Sequence, residues 1–144
     1  MRHKVRTRTL GRQTGHRIAM LRNMATSLLR EEQIETTVTR AKEVARFTEN
    51  ILSWARKAVA IEDSFKGEAD SEEYRQNRAD ALACKRRVFR HISDHEVGLD
   101  IFNVLARRYA ERHNGNKCGG YVRVIHNGFR KGDGAPMAIV KLVK

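Results

Sequence analysis

Arg2, Lys4, Arg6, Arg8, Arg12, Arg17, Arg22 and Arg30 all precede the first acidic residue of the chain, Glu31. Arginine presents a planar fork of donors that matches phosphate oxygens, and lysine adds a point charge. His3, His16 and Asn23 intersperse hydrogen-bonding groups, and Gly11 marks a place where backbone can approach a ligand closely. Further along, Lys42 and Arg123 are additional cations. Arg130 and Lys131 sit among Gly128, Gly132 and Gly134, where loop amides and cations together suit a backbone phosphate. This is the chemistry of holding a polyanion, with no bond made or broken. A solvated basic tail is the plain alternative, but eight bases without an acid in thirty residues exceed ordinary surface composition. Charge alone does not separate RNA from DNA.

The whole composition agrees. The chain has 144 residues, 29 Lys and Arg against 17 Asp and Glu, and a formal net charge of +12. Its 40% hydrophobic content can form one core, and a single domain is expected over 14–144 behind an arm at 1–13. Self-repulsion on this scale is normally matched to a nucleic acid. An anionic membrane would call for a basic amphipathic helix or a lipid-attachment signal, and neither pattern is found. No apolar run approaches the roughly 18 residues of a membrane span, and the first thirty residues carry no signal-peptide core. A cytoplasmic setting is expected.

The residue types that catalysis needs are not gathered in any pattern. There is no phosphate-cradling Gly-rich loop ending in Gly-Lys-Ser/Thr, no dinucleotide fingerprint and no nucleophile elbow. Acids cluster at 62–80, where Glu62, Asp63, Glu68, Asp70, Glu72, Glu73 and Asp80 outnumber Lys66, Arg75 and Arg78. A phosphate-binding surface would repel this segment, so it should face solvent. His91 and His95 are four apart, but the helix boundary expected at Ser93-Asp94 keeps them from sharing a metal-binding face. Two cysteines are too few for a four-cysteine zinc site, and Cys84 reads as a small buried hydrophobe. No cofactor, metal or small-molecule substrate is expected. The nine aromatics fall mostly on apolar stripes, so contact through phosphates, riboses and RNA shape is favoured over base stacking.

These residues need a scaffold, and its elements are legible. Residues 1–13 hold too little apolar surface to offset ordering entropy, so alone the arm should be disordered and should gain structure on RNA. Thr14 offers an N-cap, with Ile18, Leu21, Ala25 and Leu28 at helical spacing to about Glu31. Ile34–Val38 alternates like a strand. Thr39 offers the next cap, for a helix over about 39–60 with Ala41, Val44, Ala45, Thr48, Ile51, Leu52, Ala55 and Val59 inward. Residues 62–78 form an acidic linker with some helical character. A third helix is expected at about 79–92, with Leu82, Val88, Phe89 and Ile92 inward. Asp94 caps a fourth, burying Val97, Ile101, Phe102 and Leu105, with Gly98 as a weak point. Tyr121–His126 and Met137–Val143 read as strands joined by a long basic loop. The expected class is α+β, a small sheet of one strand plus a C-terminal hairpin packed against about four helices.

Several runs resemble a known family. Met1-Arg2-His3, Leu10-Gly11-Arg12, His16-Arg17 and Ala19-Met20-Leu21-Arg22-Asn23 are similar to the opening of protein seventeen of the bacterial large ribosomal subunit. So are Thr26-Ser27-Leu28, Ile34-Glu35-Thr36-Thr37, Ala41-Lys42-Glu43, Gly119-Gly120-Tyr121, Phe129-Arg130-Lys131-Gly132-Asp133 and Ala135-Pro136-Met137-Ala138. The resemblance implies an α+β domain on large-subunit ribosomal RNA near the nascent-peptide tunnel exit, beside other large-subunit proteins. It also implies no catalytic activity, no cofactor and no obligate homo-oligomer. Three departures stand out: apparent insertions near 62–78 and at 114–117, and Glu31-Glu32-Gln33 where a more basic run is usual. Because the matching motif starts at residue 1, no organelle-targeting extension is expected, which favours a bacterial cytoplasmic protein. The competing classes are a free-standing nucleic-acid-binding regulator, which needs a base-reading helix, and a nucleic-acid-modifying enzyme, which needs a cofactor loop or converging acid, base or metal groups.

Overall fold

The computed structural model describes residues 7–64, 72–112 and 119–143. Arg2, His3, Lys4, Arg6, Cys118, the middle of the acidic stretch and the short 114–117 segment lie outside the described residues.

Helix α1 covers Thr14–Glu31, strand β1 Gln33–Thr37, and helix α2 Val38–Ser64. Helix α3 covers Glu72–Phe89. Then α4, His95–Asp100, passes through a π-helical turn, Ile101–Leu105, directly into α5, Ala106–Arg112. Counting that run as one, the described residues hold four helical rods. Strands β2, Val122–Phe129, and β3, Pro136–Leu142, form the C-terminal hairpin. The sheet order is β1-β3-β2, antiparallel throughout, with Ile34, Val140 and Val124 on one row and Thr36, Ala138 and His126 on another. The protein is α+β, as its periodicities predict.

The chain clusters into two units. Unit 1 comprises residues 1–48 and 122–143; unit 2 comprises 49–121 with Lys144. In unit 1, α1 packs on β1 and β3, and Ala25, Leu28, Leu29, Val44, Ala138, Val140 and Leu142 are buried. Val122 and Val124 are half-buried on the inner face of β2. Only the second half of α1 is buried. Ile18, expected inward, is 38% exposed, which leaves the first three turns to present Arg17, Arg22 and Asn23.

Unit 2 is built on the rest of α2. Ile51, Leu52, Ala55 and Val59 are buried there as the stripe predicted. Val88, Ile92, Val97, Ile101, Phe102 and Leu105 join them, each worth about 1.5–3 kcal/mol when fully removed from water. Cys84 is buried, as a small hydrophobe should be. Tyr109 and Tyr121 close this core, with ring centroids 4.8 Å apart. The Tyr109 hydroxyl lies 3.5 Å from the Tyr121 carbonyl, to which it donates.

Local signals explain the ends of the elements, and some differ from expectation. Asp94 caps α4 as predicted, its Oδ1 accepting from the Glu96 and Val97 amides at 3.1 and 3.3 Å. Thr14 and Thr39 are not caps: Gln13 occupies the α1 cap position without a side-chain bond, and α2 already starts at Val38. Helix α3 begins seven residues before its expected start. Glu72 and Glu73 stand in its first turn, where carboxylates complement the positive helix end. Its buried line is Ala81, Cys84 and Val88, and Leu82 is 44% exposed. His91 stacks on Trp54 at 5.6 Å and His95 on Phe89 at 5.8 Å, so each imidazole has an aromatic neighbour of its own.

Candidate nucleic-acid interface

The described part of the arm is a turn followed by a helix. The Arg12 amide donates to the Thr9 carbonyl at 3.1 Å. Leu10 and Gly11, the two central residues, have φ of +53° and +63°. Positive φ at both positions is the signature of a type I′ turn. Gly11 takes that conformation without strain, whereas Leu10 must be held there by its surroundings. Arg8 Nε lies 3.9 Å from Glu43 Oε1, and Arg46 Nη1 lies 3.9 Å from Glu43 Oε2. The Glu43 carboxylate is buried between these two cations. Within residues 7–12 the chain thus carries a reverse turn and one ion pair to α2.

Beside that turn lies a groove of about 620 Å³ lined by Thr7, Arg8, Thr9, Leu10, Thr37, Thr39 and Arg40. Four hydroxyls and two guanidinium groups line it beside a larger share of apolar surface. Arg40 was not singled out in the sequence, because it lies on a helix start read only for its cap. From the turn to α1, the Arg12 Nε–H donates to His16 Nε2 at 3.4 Å. Arg17 and Arg22 are half-buried and Asn23 is exposed. Arg22 Nε is shielded from solvent without a hydrogen-bond partner among the described residues. Lys42 is exposed on α2.

The hairpin supplies the remaining cations. Arg123 is exposed and pairs across the sheet with Lys141, which in turn pairs with Gln33. Like charges directly opposite destabilise a sheet, and an anion laid along this row would relieve the repulsion. Lys141 also escaped the sequence reading, which treated β3 only as a core strand. At the tip, the Arg130 amide donates to the Ala135 carbonyl and the Gly134 amide to the Arg130 carbonyl, both at 2.9 Å. The Arg130 guanidinium forks onto Asp133, Nε to Oδ1 at 2.8 Å and Nη2 to Oδ2 at 2.6 Å. Arg130 is thus a clamp of the loop before it is a contact for anything else, while Lys131 is exposed beside it.

The clamp has a pH signature. The hydrogen bonds from Arg130, then that from the Ala135 amide, pull the Asp133 carboxyl from 3.8 down to about 2. A depressed carboxyl contributes stability above its unfolded pKa and loses it as pH falls through the folded value. The loop should therefore keep its closed form at mild acidity and release Arg130 only between about pH 4 and pH 2. Carbon-detected NMR titration of the Asp133 carboxyl should give a midpoint near 2. A midpoint near 4 would mean that the clamp does not form in solution.

Every residue that the sequence marked for phosphate contact belongs to unit 1. That unit carries 15 Lys and Arg against 5 Asp and Glu, a net +10, whereas unit 2 carries 14 against 12, a net +2. Among the described residues no cluster of His, Cys, Asp and Glu could hold a metal ion, and no helix is long and apolar enough to cross a membrane. The class defined by this arrangement is an α+β protein with its positive charge concentrated in one unit.

Comparison with known proteins resolves the class further. The family model for ribosomal protein L17 matches residues 20–143. The large ribosomal subunit protein bL17 of Fusobacterium nucleatum is 41% identical over 143 residues, covering 99% of this chain and all of that one. The protein of the same name from Desulforudis audaxviator is 41% identical over 136 residues, 94% of this chain and 97% of its own. The chain belongs to the ribosomal protein L17 family, and it is a ribosomal protein, not an enzyme.

Proposed function

We propose that the protein is a structural constituent of the large ribosomal subunit that binds large-subunit ribosomal RNA through unit 1 and supports subunit assembly. The observation that carries this reading is the charge division, +10 on unit 1 against +2 on unit 2. Phosphate neutralisation with counterion release supplies most of the affinity in such a complex. The proposed contacts are the arm residues Arg2, His3, Lys4, Arg6, Arg8, Gly11 and Arg12, then His16, Arg17, Arg22 and Asn23 along the exposed start of α1. Lys42 on α2 and Arg123, Arg130 and Lys131 on the hairpin complete the set. Unit 2, nearly neutral, is left for solvent and for neighbouring large-subunit proteins. A position near the nascent-peptide tunnel exit is part of the proposal, and its support is what the family resemblance implies.

Co-sedimentation in high magnesium tests the reading. The full chain should travel with the large subunit and bind protein-free large-subunit RNA at low salt. Recovery in the free cytoplasmic fraction, with no RNA affinity at ~50 mM salt, would contradict it and point to a different polyanion.

A further inference from the structure

Phe129 is 76% exposed, against 38–49% for Ile18, Leu82, Leu99, Val104 and Ile125, the other exposed large apolar side chains among the described residues. An exposed aliphatic at the edge of a core is ordinary, but a ring this free of protein is a poor use of the largest apolar surface in the hairpin. Its position is also built. His126 pairs with Ala138 and Phe129 with Pro136, so three steps on β2 answer two on β3. The extra residue is a β-bulge at Asn127-Gly128, with Gly128 at φ +67°. A bulge re-aims the side chains beyond it. Without this one, Phe129 would alternate onto the face of Ile125 and Ile139. With it, the ring falls on the other face, at the end of the strand.

The loop beyond is closed by two backbone hydrogen bonds and by the Arg130–Asp133 fork, and Pro136 stands opposite the ring. The ring therefore projects from a fixed base. Its chain neighbours are Asn127, Gly128, Arg130 and Lys131, with no second large apolar group among them. Residues 122–143 carry four Lys and Arg and one acid, Asp133, whose carboxylate is taken by Arg130. A protein pocket would ask for an apolar patch around the anchor. The Glu35 carboxylate that reaches this loop accepts from Asn127 Nδ2 at 3.0 Å, and Lys131 is exposed two residues from the ring. A single ring beside an exposed cation fits an RNA base, since every base offers a π face and brings a phosphate on either side.

We propose that Phe129 stacks on an unpaired base of the bound RNA, with Lys131 holding the adjoining phosphate. The proposal rests on the RNA-binding reading of unit 1 and adds a stacking contact to it. The composition-based expectation, which put the aromatics on apolar stripes, fits Phe102, Tyr109 and Tyr121, which are buried, and does not fit Phe129.

The test uses the full chain, an in vitro transcript of large-subunit ribosomal RNA, and Phe129→Trp, Phe129→Leu and Phe129→Ala. The natural chain has one tryptophan, Trp54, whose emission is the background. Because the ring is exposed, all three variants should melt with the natural protein. Trp at 129 should be quenched when the transcript binds. Leu and Ala should each weaken binding by about 5- to 150-fold, the range for loss of one base–aromatic stack, with the salt slope unchanged. Natural affinity in Phe129→Leu, or unchanged Trp emission in a formed complex, would overturn stacking while leaving the RNA reading intact. A response seen only after other large-subunit proteins are added would also overturn it, assigning the ring to a protein neighbour. Failure of the natural chain to bind the transcript would remove the RNA reading, and this contact with it.

Discussion

Removal of residues 1–13 is expected to flatten the log–log salt slope of ribosomal RNA binding by about 3.5 to 4.5. The truncation takes away Arg2, Lys4, Arg6, Arg8 and Arg12. Each phosphate neutralised contributes a slope of about −0.7 to −0.9, so five such contacts account for roughly a 100- to 1,000-fold fall in affinity between ~50 and ~200 mM salt. The natural protein should show that fall and the truncated one should lose most of it. The structure adds a second consequence. Arg8 helps to flank the buried Glu43 carboxylate, and its loss leaves Arg46 on the other oxygen. Stability should decline only slightly, because Arg8 is half exposed and such pairs are worth little. Binding isotherms at four salt concentrations, with a thermal melt on each protein, separate the two effects. A slope that survives truncation would place the principal RNA surface on α1 and the hairpin.

Long-range physics was easier to read in this chain than local exceptions. The α2 stripe persists over more than five turns, so its period identifies the helix whatever happens at the ends. Ala138, Val140 and Leu142 alternate cleanly and are all buried. By contrast, the buried line of α3 runs through Ala81, Cys84 and Val88, small side chains that look weak beside Leu82, which lies off that line. The first turns of α3 are almost wholly polar and carry no periodic signal at all. The Leu10-Gly11 turn places a leucine where propensity would put asparagine or glycine, so it depends on contacts that the linear sequence does not display. The hairpin bulge and the π-helical turn at Ile101–Leu105 are single-residue insertions in otherwise regular ladders. The bulge coincides with Gly128 at positive φ, which glycine adopts without strain, whereas no glycine or proline marks the π-helical turn.

For the site, the sign and location of charge were fully visible, since eight cations before one acid need no structure to interpret. What each cation does was not. Arg130 and Lys131 are adjacent and alike on paper, yet Arg130 is engaged by Asp133 three residues on. Arg40 and Lys141 come forward only because the β1–α2 junction and the β2–β3 register set them beside other groups of the site. Phe129 was hidden by the same cause as the bulge. Alternation predicts one face for its side chain, and the inserted residue supplies the other.

Gly98 provides the strongest stability prediction, and it reverses the rule that sequence alone would apply. Glycine inside a helix costs up to about 1 kcal/mol relative to alanine, so Gly98→Ala should stabilise α4 on propensity grounds. The position is buried, however, and a Cβ built there runs directly into the Phe89 ring. That ring has little room to retreat, because it stacks on His95 and lies 5.8 Å from Phe102, centroid to centroid. Overpacking of this kind costs about 1–3 kcal/mol, which exceeds the propensity gain. Gly98→Ala should therefore lower Tm by several degrees, and Gly98→Val by more. A second substitution identifies the cause. Phe89→Leu alone should destabilise by removing aromatic contacts, yet in the Gly98→Ala background its cost should shrink or vanish, since the smaller side chain makes way for the methyl group. The double-mutant cycle should then show non-additivity of about 0.5–3 kcal/mol, as expected for residues in direct contact. Strict additivity, or a Gly98→Ala protein that melts higher than the natural one, would mean that Phe89 does not close over the glycine and that helix propensity governs the position.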